Sequence, residues 1–97
     1  MSDVTTVRYA DGLKVDLADR EEAAAYLNAA LEDGNPEVFL LALRDVAEAK
    51  GVTRIAREAH LNRENIYRML SPTGNPQLSS LNALLHGIGL RLAVEVE

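Results

Sequence analysis

Apolar residues recur at helical spacing through most of the chain, and this pattern predicts five helices. The predicted helices cover about 20–33, 36–50, 54–59, 63–70 and 78–88. Capping residues precede four of them and glycines follow three, as is typical of helix ends. The predicted caps are Asp19, Asn35, Thr53 and Asn62, with Glu22 completing a capping box after Asp19, and the predicted stops are Gly34, Gly51 and Gly89. Helices therefore dominate the expected fold.

The apolar positions also predict which helix faces are buried. The first helix carries one stripe, made of Ala23, Leu27, Ala30 and Leu31. The second has a stripe of Phe39, Leu43, Val46 and Ala47, widened by Val38 and Leu41. The wider stripe predicts burial on two sides, one of them against the first helix. The fifth helix presents Leu81, Leu84, Leu85 and Ile88.

The two ends of the chain depart from the helical period. Residues 1–18 contain β-branched residues and an Asp11-Gly12 turn signal, and we interpret them as an extended N-terminal arm. Residues 90–96 alternate between apolar and other side chains, which predicts a half-buried β-strand. A lone strand needs a partner, either the arm or a second copy of the chain. We therefore expect a homodimer, and divide the chain into the arm (1–18) and a domain (19–97) that ends in this strand.

Composition limits the possible functions. With 97 residues and no cysteine, the chain is expected to form one domain without disulfides, thiolate catalysis or cysteine-based metal sites. His60 and His86 are far apart in sequence and lack neighbouring metal ligands, so no metal, cofactor or enzymatic activity is predicted. No apolar stretch or leader signal indicates a membrane segment or export. The expectation is a soluble cytoplasmic protein.

The net charge of −5 argues at first against nucleic-acid binding. The charge is, however, unevenly distributed. Residues 1–51 carry five basic and eleven acidic side chains, whereas residues 52–76 carry four arginines and two glutamates. Arginine is the side chain whose planar fork matches phosphates and guanine edges. The acidic average therefore conceals a basic segment.

That basic segment, VTRIAREAHLNRENIYRMLS (52–71), has the pattern of a helix-turn-helix. Such a motif needs a small residue where the helices cross, an apolar residue after the turn and an aliphatic residue facing back. Ala56, Leu61 and Ile66 fit these positions. Ile55, Ala59, Met69 and Leu70 are expected to complete the inward face. The outward set, Arg63, Glu64, Asn65 and Arg68, then suits a recognition helix in the major groove.

The outward residues predict specific roles in DNA binding. Arg63 matches a bidentate contact to guanine and Asn65 one to adenine, while Arg68 reaches a base or the backbone. Arg54 and Arg57 are placed as phosphate anchors, with Thr53 and Asn62 at helix starts where phosphate can bind. The alternative is an all-α domain whose arginines form only a solvated face.

The turn of this motif commonly holds glycine, and here it holds His60. Histidine tolerates a positive φ at some cost in strain, so we expect His60 to fit the turn and face solvent. A pH-sensing or ligand-binding role is the alternative. His86 is expected at the surface or rim of the fifth helix.

Together these segments resemble the probable addiction module antidote family, a group of small HigA-like, Xre-type antitoxins. The resemblance covers roughly residues 15 to 95. It rests on EAAAYLNAALED (22–33), on PEVFLLAL (36–43), on TRIARE (53–58), on LNRENIYRMLS (61–71) and on GNPQLS (74–79). It implies a five-helix lambda-repressor-like DNA-binding domain with a short C-terminal strand. It also implies a toxin partner of RelE/ParE-like (HigB-like) type and autorepression of the shared operon. The acidic first half would then complement a basic toxin.

Two other functions remain open from the sequence. The same domain serves stand-alone phage-type or metabolic transcriptional repressors that have no toxin. It is also compatible with a protein–protein adaptor that keeps the helix-turn-helix shape without binding DNA. A basic protein encoded beside this one would favour the antitoxin, and salt-sensitive retardation of its own promoter would exclude the adaptor.

Overall fold

The computed structural model describes residues 6–8 and 14–97. Two short strands, β1 (Thr6–Arg8) and β2 (Lys14–Asp16), pair antiparallel, with Thr6 opposite Asp16 and Val7 opposite Val15. Two described segments of the N-terminal arm are therefore extended and pair with each other. The predicted Asp11-Gly12 turn lies outside the described residues.

Five helices follow, and the prediction of a mostly helical chain is confirmed. They are α1 (Arg20–Asp33), α2 (Pro36–Lys50), α3 (Val52–Ala59), α4 (Arg63–Met69) and α5 (Leu78–Ile88). Gly34 and Gly89 end α1 and α5 in the left-handed conformation that glycine adopts without strain. Asn35 caps α2, its side-chain oxygen accepting from the Glu37 N–H at 2.9 Å.

Two of the predicted helix starts are wrong in detail. Asp19 caps α1 by accepting from the Glu21 N–H, but Glu22 does not complete a capping box. Its carboxylate accepts instead from the Asp16 N–H, because the Asp19 N–H already donates to the Asp16 carbonyl. Thr53 does not cap α3, since the helix starts at Val52, two residues before the predicted start, and has no side-chain cap.

The core lies where α1 and α2 pack together and where α3 packs against α2, α4 and α5. Its largest fully buried side chains come from four of the five helices: Leu43 and Val46 from α2, Ile55 from α3, Ile66 from α4, and Leu84 and Ile88 from α5. Leu17, between β2 and α1, is also fully buried, although the sequence pattern did not place it in the core. Burial of this apolar surface is the main source of stability for helices as short as α3 and α4.

Three residues predicted to be buried are exposed. Leu31 is 54% accessible, Val38 38% and Leu41 57%. On α2 the buried positions Leu40 and Leu43 follow the helical period, and Val38 and Leu41 lie to one side of them. The predicted packing of α2 against α1 is confirmed, but no described element covers the side of α2 that holds Val38 and Leu41.

The predicted C-terminal strand is also absent from the described chain. Residues 90–97 have no regular secondary structure, and residues 91–97 are exposed. The physical reason is the lack of a partner, because a strand requires a neighbour for its backbone N–H and C=O groups. The sheet of the described segments consists of β1 and β2 alone, so neither of these strands serves as that neighbour.

Candidate nucleic-acid interface

Helices α3 and α4 form a compact pair joined by a tight turn at His60. The His60 backbone is left-handed (φ 57°, ψ 40°), as the sequence predicted for this position, and its side chain is exposed. The Leu61 N–H donates to the Ala56 carbonyl at 2.9 Å, which closes the turn. A left-handed histidine costs strain, so tertiary packing must hold the turn.

Packing fixes which sides of the two helices face outward. Ile55, Ala56, Ile66 and Leu70 are buried, and Ala59, Leu61 and Met69 are partly buried. These are the residues that the sequence pattern placed on the inward face. Because α4 directs Ile66 into the core and the buried Leu70 follows it, the exposed positions of α4 are Arg63, Glu64, Asn65 and Arg68.

Every predicted site residue is exposed on the outer surface of α3, the turn or α4. On α3 and its first turn these are Thr53, Arg54 and Arg57, and on α4 with its cap they are Asn62, Arg63, Glu64, Asn65 and Arg68. We call this set the α3–α4 face. It carries four guanidinium groups on two adjacent helices, although the chain as a whole is acidic.

Two of these arginines already have polar partners within the face. The Arg54 Nε lies 3.4 Å from Glu58 Oε2, an exposed pair one helical turn apart. Arg68 Nη1 donates to Asn65 Oδ1 at 3.2 Å. Exposed pairs of the first kind contribute only about 0.3–0.5 kcal/mol, so a phosphate can displace them. The Asn65 amide oxygen uses one of its two acceptor positions for this bond, so its second acceptor position and its NH₂ donors remain available.

The starts of α3 and α4 differ in how their backbone N–H groups are satisfied. Asn62 Oδ1 accepts from the Glu64 N–H at 2.7 Å, so this side chain is committed to capping α4. Helix α3 begins after Gly51, which has φ of 103° and no side chain with which to cap. Its first-turn N–H groups near Thr53 are therefore open to an anion.

Sequence reasoning missed a second group beside the α3–α4 face. The Arg44 guanidinium of α2 lies 5.4 Å from the centroid of the Tyr67 ring, and that of Arg63 lies 5.9 Å from it. Tyr67 thus joins a cation of α2 to one of α4. Arg44 also lies 3.7 Å from Glu48. Arg44 was missed because it lies within the acidic half of the chain. Tyr67 could have been found from its spacing, since a residue four positions after Arg63 lies on the same face of a helix.

Acidic side chains are concentrated elsewhere, on α1 and at the α1–α2 corner. Glu21, Glu32, Asp33 and Glu37 are all exposed there. Leu31 lies within this region and Val38 and Leu41 continue from it along α2. The described residues contain no group of three or more carboxylates or histidines placed to hold a metal ion, and none of their helices is long and apolar enough to cross a membrane.

Comparison with known proteins gives two matches. The family described as "Probable addiction module antidote protein" matches residues 9–96 of the chain. A protein of Haemophilus influenzae described as uncharacterized is 38% identical over 79 residues, which cover 81% of each chain. No solved structure matches.

Proposed function

Because the chain belongs to the probable addiction module antidote family, we propose that it is the antitoxin of a type II toxin–antitoxin module. In this proposal it neutralises a toxin by direct binding and represses its own operon by binding operator DNA. Both activities are binding, and no catalytic step is invoked. The site of action is the cytoplasm, where the operon and its transcripts are found.

The exposed α3–α4 face is the observation that carries the proposal of DNA binding. Two short helices joined by a tight left-handed turn are compatible with a helix-turn-helix, and this supports the proposal of a lambda-repressor-like domain. In that geometry α4 lies in the major groove and α3 crosses the backbone. Arg63 and Asn65 then contact guanine and adenine edges, and Arg68 reaches a base or a phosphate.

Phosphate contacts position such a domain on the duplex. Arg54 and Arg57 extend from α3 towards the backbone, and the open first turn of α3 places Thr53 beside backbone N–H groups that favour an anion. Asn62 lies at the start of α4, where the proposal places a further phosphate contact. Arg44 adds a further cation next to Arg63. Two copies of the chain would place their recognition helices about 34 Å apart on a palindromic operator.

The acidic region of α1 and the α1–α2 corner supports the proposal of a toxin contact. RelE/ParE-like (HigB-like) toxins are basic, and a negative surface speeds association with them and orients it. Leu31 and Leu41 are large apolar side chains left exposed among these carboxylates. Apolar residues within a charged surface are typical of the centre of a protein interface.

Mobility shift against the chain's own promoter tests the DNA proposal. Arg63→Ala should lower specific affinity by about 1–3 kcal/mol and relax the preference for one base. Arg54→Ala should weaken binding to all sequences and reduce the salt slope by about one. Arg20→Ala, on α1, is the control and should change neither. No salt-sensitive retardation at protein excess would rule out the DNA-binding function.

Co-purification with the product of the neighbouring reading frame tests the antitoxin proposal. If that product is a basic protein that binds this chain, Glu32→Lys combined with Asp33→Lys should weaken the complex and slow its formation. Arg63→Ala should leave it unchanged, because it lies on the α3–α4 face. A complex that is equally tight in all three proteins would place the toxin on another surface.

A further inference from the structure

The last seven residues form an exposed tail with no partner in the described chain. Gly89 ends α5, and Leu90 is held by its N–H donating to the Leu85 carbonyl at 2.8 Å. From Arg91 onward every residue is exposed, Val94 being 99% accessible and Val96 100%. We call residues 91–97 the tail. These two valines therefore have no apolar neighbour among the described residues.

The tail has the pattern of a strand that lacks only a neighbour. Leu92, Val94 and Val96 alternate with Arg91, Ala93 and Glu95, so an extended backbone places the apolar set on one face. Leu90 belongs to the same set and already packs against the core. None of the backbone groups of 91–97 bonds to another described residue. The tail is therefore free to pair along its full length.

The tail is complementary to itself. In an antiparallel pair of two identical strands centred on Ala93, Arg91 of each copy lies opposite Glu95 of the other. On the opposite face Leu92 pairs with Val94, and Leu90 pairs with Val96. Opposite charges and aliphatic pairs directly across a sheet are both stabilising. This register therefore satisfies the charges and the apolar side chains together.

Neighbouring registers do less well. Centred on Leu92, the pair places Arg91 opposite Ala93 and leaves Glu95 and Val96 outside the ladder of residues 90–94. Centred on Val94, it places Arg91 opposite Glu97 but Ala93 opposite Glu95, and leaves Leu90 without a partner. Only the register centred on Ala93 uses all four apolar residues, and a one-residue shift of the strand changes every pair.

We propose that the tails of two copies form a two-stranded antiparallel ribbon with its two-fold axis at Ala93. The ribbon gives each exposed valine a leucine of the other copy as its cross-strand neighbour and extends the apolar surface that begins at Leu90 in each copy. Leu90 of each copy lies opposite Val96 of the other, so the two Leu90 residues are offset by six positions along the ribbon. At the usual rise per residue of a strand, this offset places the ends of the two α5 helices about 20 Å apart. This inference deepens the dimer of the proposed function by assigning its surface and register.

Cysteine cross-linking tests the register, because the natural chain contains no cysteine. Ala93→Cys places two thiols directly across the axis, where paired Cα atoms are about 4.5–5.5 Å apart and a disulfide fits. Leu92→Cys and Val94→Cys offset the thiols along the ribbon by two residues, beyond bridging distance. Under mild oxidation Ala93→Cys should form covalent dimer at least about tenfold faster than either neighbour. Asn28→Cys, exposed on α1, is the background control.

Charge exchange tests the same register without removing apolar side chains. Arg91→Glu replaces two opposite-charge pairs with two like-charge pairs, and should raise the dimer dissociation constant about tenfold in sedimentation equilibrium. Glu95→Arg should do the same. The double variant R91E/E95R should restore the parent value, and R91E/E97R should not. Thermal unfolding of the monomer should be unchanged, because the tail is exposed.

Several outcomes would overturn the inference. Restoration by R91E/E97R, or fastest cross-linking at Leu92→Cys or Val94→Cys, would assign a different register. A parent chain that is monomeric, or a dimer insensitive to Arg91→Glu, would exclude the tail as the self-association surface. These measurements contain no DNA and no toxin. A monomer that still binds its operator would leave the proposed function standing, and a cross-linked dimer that binds none would refute only the DNA proposal.

Discussion

Replacing Asn62 with alanine and with aspartate should separate its role in folding from its role in DNA binding. The Asn62 side chain caps α4, accepting from the Glu64 N–H at 2.7 Å, and its carbonyl accepts the first helical bond, from the Ile66 N–H at 3.0 Å. The same residue is exposed on the α3–α4 face. Alanine removes the cap without adding charge, whereas aspartate keeps the cap and adds a negative charge to that face.

Asn62→Ala should lower stability and leave DNA affinity nearly unchanged, whereas Asn62→Asp should keep stability and lower DNA affinity. Loss of a side-chain cap costs about 1 kcal/mol, and for a domain of this size that lowers the melting temperature by roughly 4–8 °C. Aspartate caps as well as asparagine, and its charge at a helix start is favourable, so Asn62→Asp should unfold at or above the parent temperature. Asn62→Ala remains folded at 25 °C, since total stability is about 5–15 kcal/mol, and should keep its DNA affinity within about threefold.

The effect of aspartate on DNA binding follows from counterion release. One added negative charge beside a phosphate opposes about one ionic contact, and each contact contributes about 0.9 to the salt slope. The loss of affinity that Asn62→Asp causes, measured against the parent, should therefore be about eightfold larger at 0.1 M salt than at 1 M salt. Asn28→Asp, exposed on α1, adds the same charge away from the face and is the matched control. If Asn62→Asp bound the operator as tightly as Asn28→Asp, the start of α4 would not face the DNA backbone.

Three further substitutions test the fold itself. Leu43 is fully buried on α2, and Leu43→Ala should lower the free energy of unfolding by about 2–5 kcal/mol in denaturant unfolding. Leu41 is exposed, and Leu41→Ala should lower it by less than about 0.5 kcal/mol. Equal losses would contradict the assigned faces of α2. His60→Gly relieves the left-handed strain at the turn and should raise stability by up to about 1 kcal/mol, and a lower melting temperature than that of the parent would argue against this strain. Gly74→Ala brings a Cβ into steric overlap with the Met69 carbonyl oxygen and should cost about 1–3 kcal/mol. An unchanged unfolding midpoint would show that the loop moves freely.

Much of the fold could be predicted from the sequence, because local signals and tertiary packing agree along the helices. The bounds of α1, α2 and α5, the left-handed His60 and the cap at Asn62 all follow from spacing and side-chain chemistry. The errors occur where the outcome depends on another element. Leu41 has the right residue type for a core, but no described element covers its side of α2.

The tail shows the same limit most clearly. The alternation at 90–96 predicts which side chains share a face of a sheet. Whether the segment forms a strand depends on a neighbouring strand, which this pattern does not specify. At the site, the exposure of all eight predicted residues followed from the inward positions of Ala56 and Ile66. Arg44 could not be found in this way, because it lies on a different helix and reaches Tyr67 only through the packing of α2 near α4.

The ring of Tyr67 has a consequence for the entropy of binding. Long arginine side chains normally lose rotamer freedom when they contact a ligand, and that loss opposes association. Arg63 lies against Tyr67 before any ligand is present, with Arg44 against the same ring. Part of the ordering of these two guanidinium groups thus occurs during folding. If Arg63 binds DNA as proposed, its guanidinium would meet the groove already partly immobilised, and less rotamer freedom would be lost on binding.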